Sequence, residues 1–206
     1  IVFLLSCNIG EIIALFMAIV LGWPTILRPI HLLWVNLITD SLPALALGVD
    51  PDDPDIMKEK PRDPRKGLFS GKSGVFLVVN GVLIGALTLA AFYIGTKLYT
   101  NSLIHAQTMA FVVLSVSQLF YTLSIRHHEK SMFEVGIFSN KYLIGAIVLG
   151  IIMQSIVITV PFLSSVFKVF KLTINDWIFV LALSLVPLLV NEIIKLVYRK
   201  SVRNIL

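Results

Sequence analysis

The chain has 206 residues, of which 57% are hydrophobic and 14% charged, against about 45–50% and 25% for ordinary soluble domains. With a mean hydropathy of +0.90, that much apolar surface cannot be buried inside a soluble core of this size, so the solvent is lipid. The net charge of +5 implies no nucleic acid, because basic residues at cytoplasmic membrane edges give the same balance. The one cysteine, Cys7, excludes an intramolecular disulfide.

A spanning helix needs about 20 mostly apolar residues, and six segments qualify. The first is expected over Ile1–Leu21, ending at the turn Gly22-Trp23-Pro24. It opens within an apolar run and without a charged leader, which reads as a fragment of a longer protein. The second covers Ile30–Gly48. A polar loop, Val49–Ser73, follows, and its prolines Pro51, Pro54, Pro61 and Pro64 disfavour helix. It is a solvated connector or a docking surface for a cytoplasmic domain. The remaining spans are expected over Gly74–Tyr99, Ala106–Ile125, Tyr142–Leu163 and Trp177–Tyr198. The fold class is therefore all-α: a polytopic six-helix membrane bundle, one domain over residues 1–206 with the cytoplasmic loop 49–73 inside it.

Orientation follows from Lys and Arg. Six lie in the Val49–Ser73 loop, three between Arg126 and Lys141, and four from Lys195 to Arg203. The opposite side has Arg28, Lys97, Lys168 and Lys171. Thirteen against four puts the loop and the C-terminus in the cytoplasm.

Polar residues within the spans carry the chemistry. Asn8 and Glu11 are three apart on the first helix and share a face. Asn36, Thr39 and Asp40 do the same on the second. A bare carboxylate in hydrocarbon costs several kcal/mol, so such groups turn inward to a partner or an ion. An all-oxygen donor set suits Ca2+, Mg2+ or Mn2+, with Cys7 placed on a different face. Pro43 strengthens this reading: it cannot donate to the carbonyl of Thr39 and its ring crowds that carbonyl, so the second helix is expected to kink or unwind there. Irregular backbone at membrane depth is tolerated where it lines an ion site. The alternative is a hydrogen-bonded network that only holds helices together.

Gln118, in the fourth span, either contributes one oxygen to that site or bonds across helices. Gly81 and Gly85 form a small-xxx-small pattern for close helix approach, with Gly10 as counterpart. Glu192 and Lys195 are expected to form a surface ion pair, and His127 and His128 to sit at the membrane edge.

Asn8-Ile9-Gly10-Glu11 and the run Trp34–Ala44 resemble the fifth and sixth membrane helices of type II P-type cation ATPases, calcium-pump branch. The likeness continues through Leu47–Pro51, Asp55–Met57 and Pro61-Arg62, and extends over essentially the whole chain, which would be the last six of ten membrane helices. The resemblance implies that Asn8, Glu11, Asn36, Thr39 and Asp40 are calcium ligands. Gln118 falls where those pumps carry a glutamate, which implies one calcium per cycle. Asn36 and Gly10 depart from the sodium/potassium pumps, favouring calcium over Na+ or K+; Mn2+ and a free-standing channel or secondary transporter are the competing expectations. The family phosphorylates an aspartate in a cytoplasmic domain, using ATP and Mg2+, and takes up protons as calcium leaves. The partners implied are the first four membrane helices, the actuator, phosphorylation and nucleotide domains of the same polypeptide, and the lipid bilayer. The fragment alone is expected to be inactive, and the location expected is a bacterial plasma membrane.

Overall fold

The structure, a computed structural model, describes residues 1–51, 72–99, 102–127 and 130–203. Most of the Val49–Ser73 loop, including its expected docking role, lies outside the described residues, as does His128. Among the described residues there is no strand. Six helices are long and apolar enough to cross a membrane.

Helix α1 covers Val2–Val20. The second span is composite: α2 (Pro29–Trp34), a π-helical segment (Val35–Asp40) and α3 (Ser41–Gly48). Pro29 stands in the first turn of α2, where its missing N–H costs nothing. The irregularity expected around Thr39 takes the form of this widened π turn, which ends three residues before Pro43. Helix α4 is Lys72–Leu98 and α5 is Leu103–Ile125. A short α6 (Met132–Val135) and a 3-10 turn (Ile137–Ser139) lead into α7, Lys141–Thr159. The expected fifth span, Tyr142–Leu163, is cut short at Val160. That residue is extended, as residues before proline tend to be, and Pro161 starts a separate α8 (Pro161–Phe167). Helix α9 runs Ile174–Arg203.

Helix α5 is the axis of the bundle, buried along nearly its whole length. Such burial needs its hydroxyls satisfied. Thr108, Ser115, Ser117 and Thr122 donate to carbonyls three or four residues earlier in the same helix. The outward faces are apolar: Ile12, Phe16, Leu37, Leu45, Ile178 and Ile193 are exposed, which suits a lipid solvent and defines a multi-pass integral membrane protein.

Glycines set a tight approach between α1 and α4. A Cβ on Gly85 would lie 2.9 Å from the Gly10 carbonyl oxygen, and one on Gly81 2.5 Å from Ile9 Cγ2. The small-residue contact expected from sequence is therefore present, and it brings Glu11's helix close against its neighbour.

At the end of α3, Asp50 is fixed by Arg126, whose Nε lies 3.0 Å from Oδ2 and whose Nη2 lies 2.8 Å from Oδ1. Asn140 caps α7 by accepting from the Leu143 N–H and donates to the Ala46 carbonyl and to Asp50. The base of the composite span is thus clamped to the α5–α7 connection.

Glu192 and Lys195 correct an expectation. They are 8% and 2% exposed, a buried pair with Nζ 2.8 Å from Oε1, and not a surface one. The segment entering α6 folds over them: Ser131 Oγ and the Met132 N–H both donate to Glu192.

Candidate cation site

The site is assembled by α1, the π segment and α5. Glu11 is buried on α1 and accepts a hydrogen bond of 2.9 Å from Asn36 Nδ2 through one oxygen, Oε2. Its other oxygen, Oε1, has no partner among the described residues. Asp40, at the end of the π segment, is 1% exposed, and neither of its oxygens has a hydrogen-bond partner there. The two acids lie within electrostatic reach of each other. Gln118 on α5 is fully buried beside the Glu11 carboxyl, yet no hydrogen bond closes on either its oxygen or its nitrogen.

Thr39 is buried in the π segment, and its hydroxyl donates to the Val35 carbonyl at 2.9 Å, which leaves the hydroxyl oxygen's lone pairs available. Ser41 Oγ donates to the Asn36 carbonyl at 2.8 Å, five residues back, a bond that follows from the widened turn. Asn8 is half-buried on α1, and Asn36 is exposed apart from its bonds to Glu11 and to the Leu32 carbonyl. Of the six residues singled out from sequence, Glu11, Asp40 and Gln118 are brought together in the interior. Asn36 joins them through Glu11, and Thr39 and Asn8 occupy the adjoining turns.

Buried polar atoms are nearly always hydrogen-bonded. Glu11 Oε1, both Asp40 oxygens and Gln118 Oε1 are therefore exceptions among the described residues, with the Gln118 amide beside the Glu11 carboxyl and the Cys7 thiol beside Asp40 as the nearest donors. Hard cations take oxygen donors of this kind. Among the described residues no three His, Cys, Asp or Glu side chains group closely enough to hold a metal ion, so amides, hydroxyls or backbone carbonyls have to complete any coordination shell here.

Sequence reasoning put Cys7 on a different face, and that is corrected. Cys7 is four residues before Glu11, hence one turn below it on the same face. It is fully buried and faces the Asp40 carboxyl. The i, i+4 spacing was the available signal. Trp34 Nε1 donates to Gln154 on α7 at 2.9 Å, anchoring the helix just before the π segment. His31, also fully buried, contacts the Phe167 carbonyl through Nε2 at 2.8 Å and stacks on Phe111.

The fold and its polar interior define a polytopic membrane protein built around buried acids. A family model described as cation transporting ATPase, C-terminus, matches residues 24–197, and the chain belongs to that family. It is 58% identical, over 95% of its length, to calcium-transporting ATPase 1 of Bacillus cereus, covering 24% of that protein. It is 42% identical over 90% of its length to the calcium-transporting ATPase of Bacillus subtilis, covering 21%. To the endoplasmic reticulum-type calcium-transporting ATPase 3 of Arabidopsis thaliana it is 32% identical over 97%, covering 23%. The chain spans about a quarter of the length of the curated relatives it matches.

Proposed function

We propose that this chain is the cation-binding membrane portion of an ATP-driven pump that exports Ca2+ from the cytoplasm. One observation carries the reading: buried oxygens of Glu11, Asp40 and Gln118 lack hydrogen-bond partners among the described residues inside an apolar bundle, and Asp40 ends a π turn. Two carboxylates balance the charge of one divalent ion. Asn8, Asn36 and Thr39 supply further oxygens, and the shell of about 6–8 donors that calcium takes is completed by backbone carbonyls. The names of the relatives support calcium as the ion.

In this reading the neutral amide of Gln118 leaves charge for a single ion, so one Ca2+ moves per cycle, with protons carried back to the emptied carboxylates. Mg2+ and ATP act in cytoplasmic domains of the same polypeptide, so this chain alone does not turn over. The Lys/Arg bias supports a cytoplasmic C-terminus, and the Bacillus relatives support a bacterial plasma membrane. The test is ATP hydrolysis by the full-length protein, titrated with Ca2+ and with Mn2+. Stimulation by Ca2+ at lower concentration than by Mn2+, lost in Asp40→Asn, is expected. Unchanged Ca2+ dependence in Asp40→Asn overturns the site.

A further inference from the structure

The outer half of the composite span, α2, is held to the far wall of the bundle by contacts that touch none of the site residues. Trp34, its last residue, donates from Nε1 to Gln154 Oε1 on α7 at 2.9 Å, and its ring meets Phe167 of α8 edge-on at a centroid distance of 5.1 Å. One turn earlier, the Arg28 N–H donates to His31 Nδ1, so His31 Nε2 carries the proton and donates to the Phe167 carbonyl at 2.8 Å. Gln154 is fully buried, and its Nε2 has no hydrogen-bond partner among the described residues. The oxygen is therefore the part of this amide that is put to use. The residue after Trp34 begins the π turn, and Asn36, the next one, holds Glu11 Oε2 at 2.9 Å.

We propose that Gln154 is a positioning residue for the cation site: by holding the Trp34 indole it fixes where the π turn begins, and so which way Asn36, Thr39 and Asp40 point. A π turn is an α-helix with one residue inserted, a rare form that concentrates at functional sites. Moving its start by one residue swings the side chain it passes by about 100°, the angle per residue of a helix with 3.6 residues per turn. A swing of that size takes Asn36 off Glu11. The far end of the span is clamped through Asp50 to Arg126 and Asn140, so the bond to Gln154 is the matching constraint on the outer side. Gln154 touches no ion; it acts through Trp34. The inference rests on the reading of Glu11, Asn36, Thr39 and Asp40 as cation ligands.

The experiment measures equilibrium binding of radioactive calcium to the purified full-length protein, with thermal stability followed in parallel. Trp34→Phe keeps a ring against Phe167 and removes the donor; Gln154→Met keeps the length and removes the acceptor. Each is expected to raise the half-saturating Ca2+ concentration at least about threefold, the scale of one interhelical hydrogen bond in a membrane. The double variant is expected to be no weaker than the weaker single one, because both break the same bond. Gln154→Glu offers an oxygen to Trp34 in either protonation state and alters only the atom without a partner, so it is expected to restore wild-type affinity. A merely structural tie lowers thermal stability in these variants and leaves Ca2+ affinity alone. Unchanged affinity in folded Trp34→Phe and Gln154→Met, or Gln154→Glu as weak as Gln154→Met, overturns the proposal. In the wild type, Ca2+ is expected to slow hydrogen exchange over Val35–Asp40 and to leave Pro29–Trp34 unchanged; slowing over Pro29–Trp34 overturns it even if no variant folds. Asp40→Asn separates the two levels: retained Ca2+ affinity there sinks the cation-site reading, whereas lost affinity there with unchanged affinity in Trp34→Phe and Gln154→Met sinks only the positioning role.

Discussion

Replacing Lys195 by Met in the full-length protein removes one partner of a buried ion pair and keeps the apolar stem. In the structure Lys195 Nζ lies 2.8 Å from Glu192 Oε1 and 2.6 Å from the Ser124 carbonyl, with 2% of the residue exposed. Breaking a buried pair from one side costs about 3–5 kcal/mol, because an uncompensated charge stays behind. An exposed pair is worth about 0–1 kcal/mol. Glu192 retains hydrogen bonds from Ser124 Oγ, Ser131 Oγ and the Met132 N–H, which places the expected loss near the lower end, about 3 kcal/mol. Adding Glu192→Gln removes the stranded charge, and the double variant is expected to recover at least about 1 kcal/mol, within the coupling range of contacting residues. Reversible denaturation of the detergent-solubilised protein, run as a double-mutant cycle, reads both quantities. A Lys195→Met variant within about 0.5 kcal/mol of the wild type, the range of ordinary surface substitutions, would refute the reasoning from burial.

Gly81→Val is expected to destabilise by about 1–3 kcal/mol, as overpacking does, because its Cβ meets Ile9 Cγ2 at 2.5 Å and the Ser6 carbonyl at 3.2 Å. Gly145→Ala, with nothing within 4 Å of the added Cβ, serves in the same denaturation series as the control free of overpacking. Asn191→Leu breaks the reciprocal amide bonds of 2.6 and 3.1 Å with Asn80; a loss of about 0.6–1.7 kcal/mol is expected from interhelical polar contacts in membranes, and no measurable change would contradict the pairing. Arg126→Lys keeps the charge but not the fork that reaches Asp50, the Gly136 carbonyl and Ser139 together. Faster hydrogen exchange is expected at the end of α3, and unaltered exchange would count against the clamp.

The spans were legible because lipid demands long apolar runs, and the sequence supplies six of them. Gly10, Gly81 and Gly85 were legible as a contact because small residues at i, i+4 have few other uses in a membrane helix. Pro43 signalled an irregular second span, although a π turn rather than an open break resolves it. Other features depend on tertiary folding. Glu192 and Lys195 have the spacing of a surface pair, and only the return of Ser131 and Met132 over them makes the pair buried. Asn80 gives no local sign of its partner, since Asn191 lies 111 residues away. Two misreadings were avoidable: Pro161 announces the end of α7 at Val160, and the four-residue spacing from Cys7 to Glu11 puts the thiol on the same helix face as that acid. In the site, the residue types were visible in sequence, whereas the unpartnered state of Glu11 Oε1, Asp40 and Gln118 required coordinates.

The most direct measurement is equilibrium binding of radioactive calcium to the purified full-length protein, compared among wild type, Glu11→Gln and Asp40→Asn. Saturation at one ion per molecule is expected, with a loss of affinity of at least about tenfold in each variant, the scale set by removing a metal's partner. Undiminished calcium affinity in both variants would contradict the assignment of Glu11 and Asp40 as ligands.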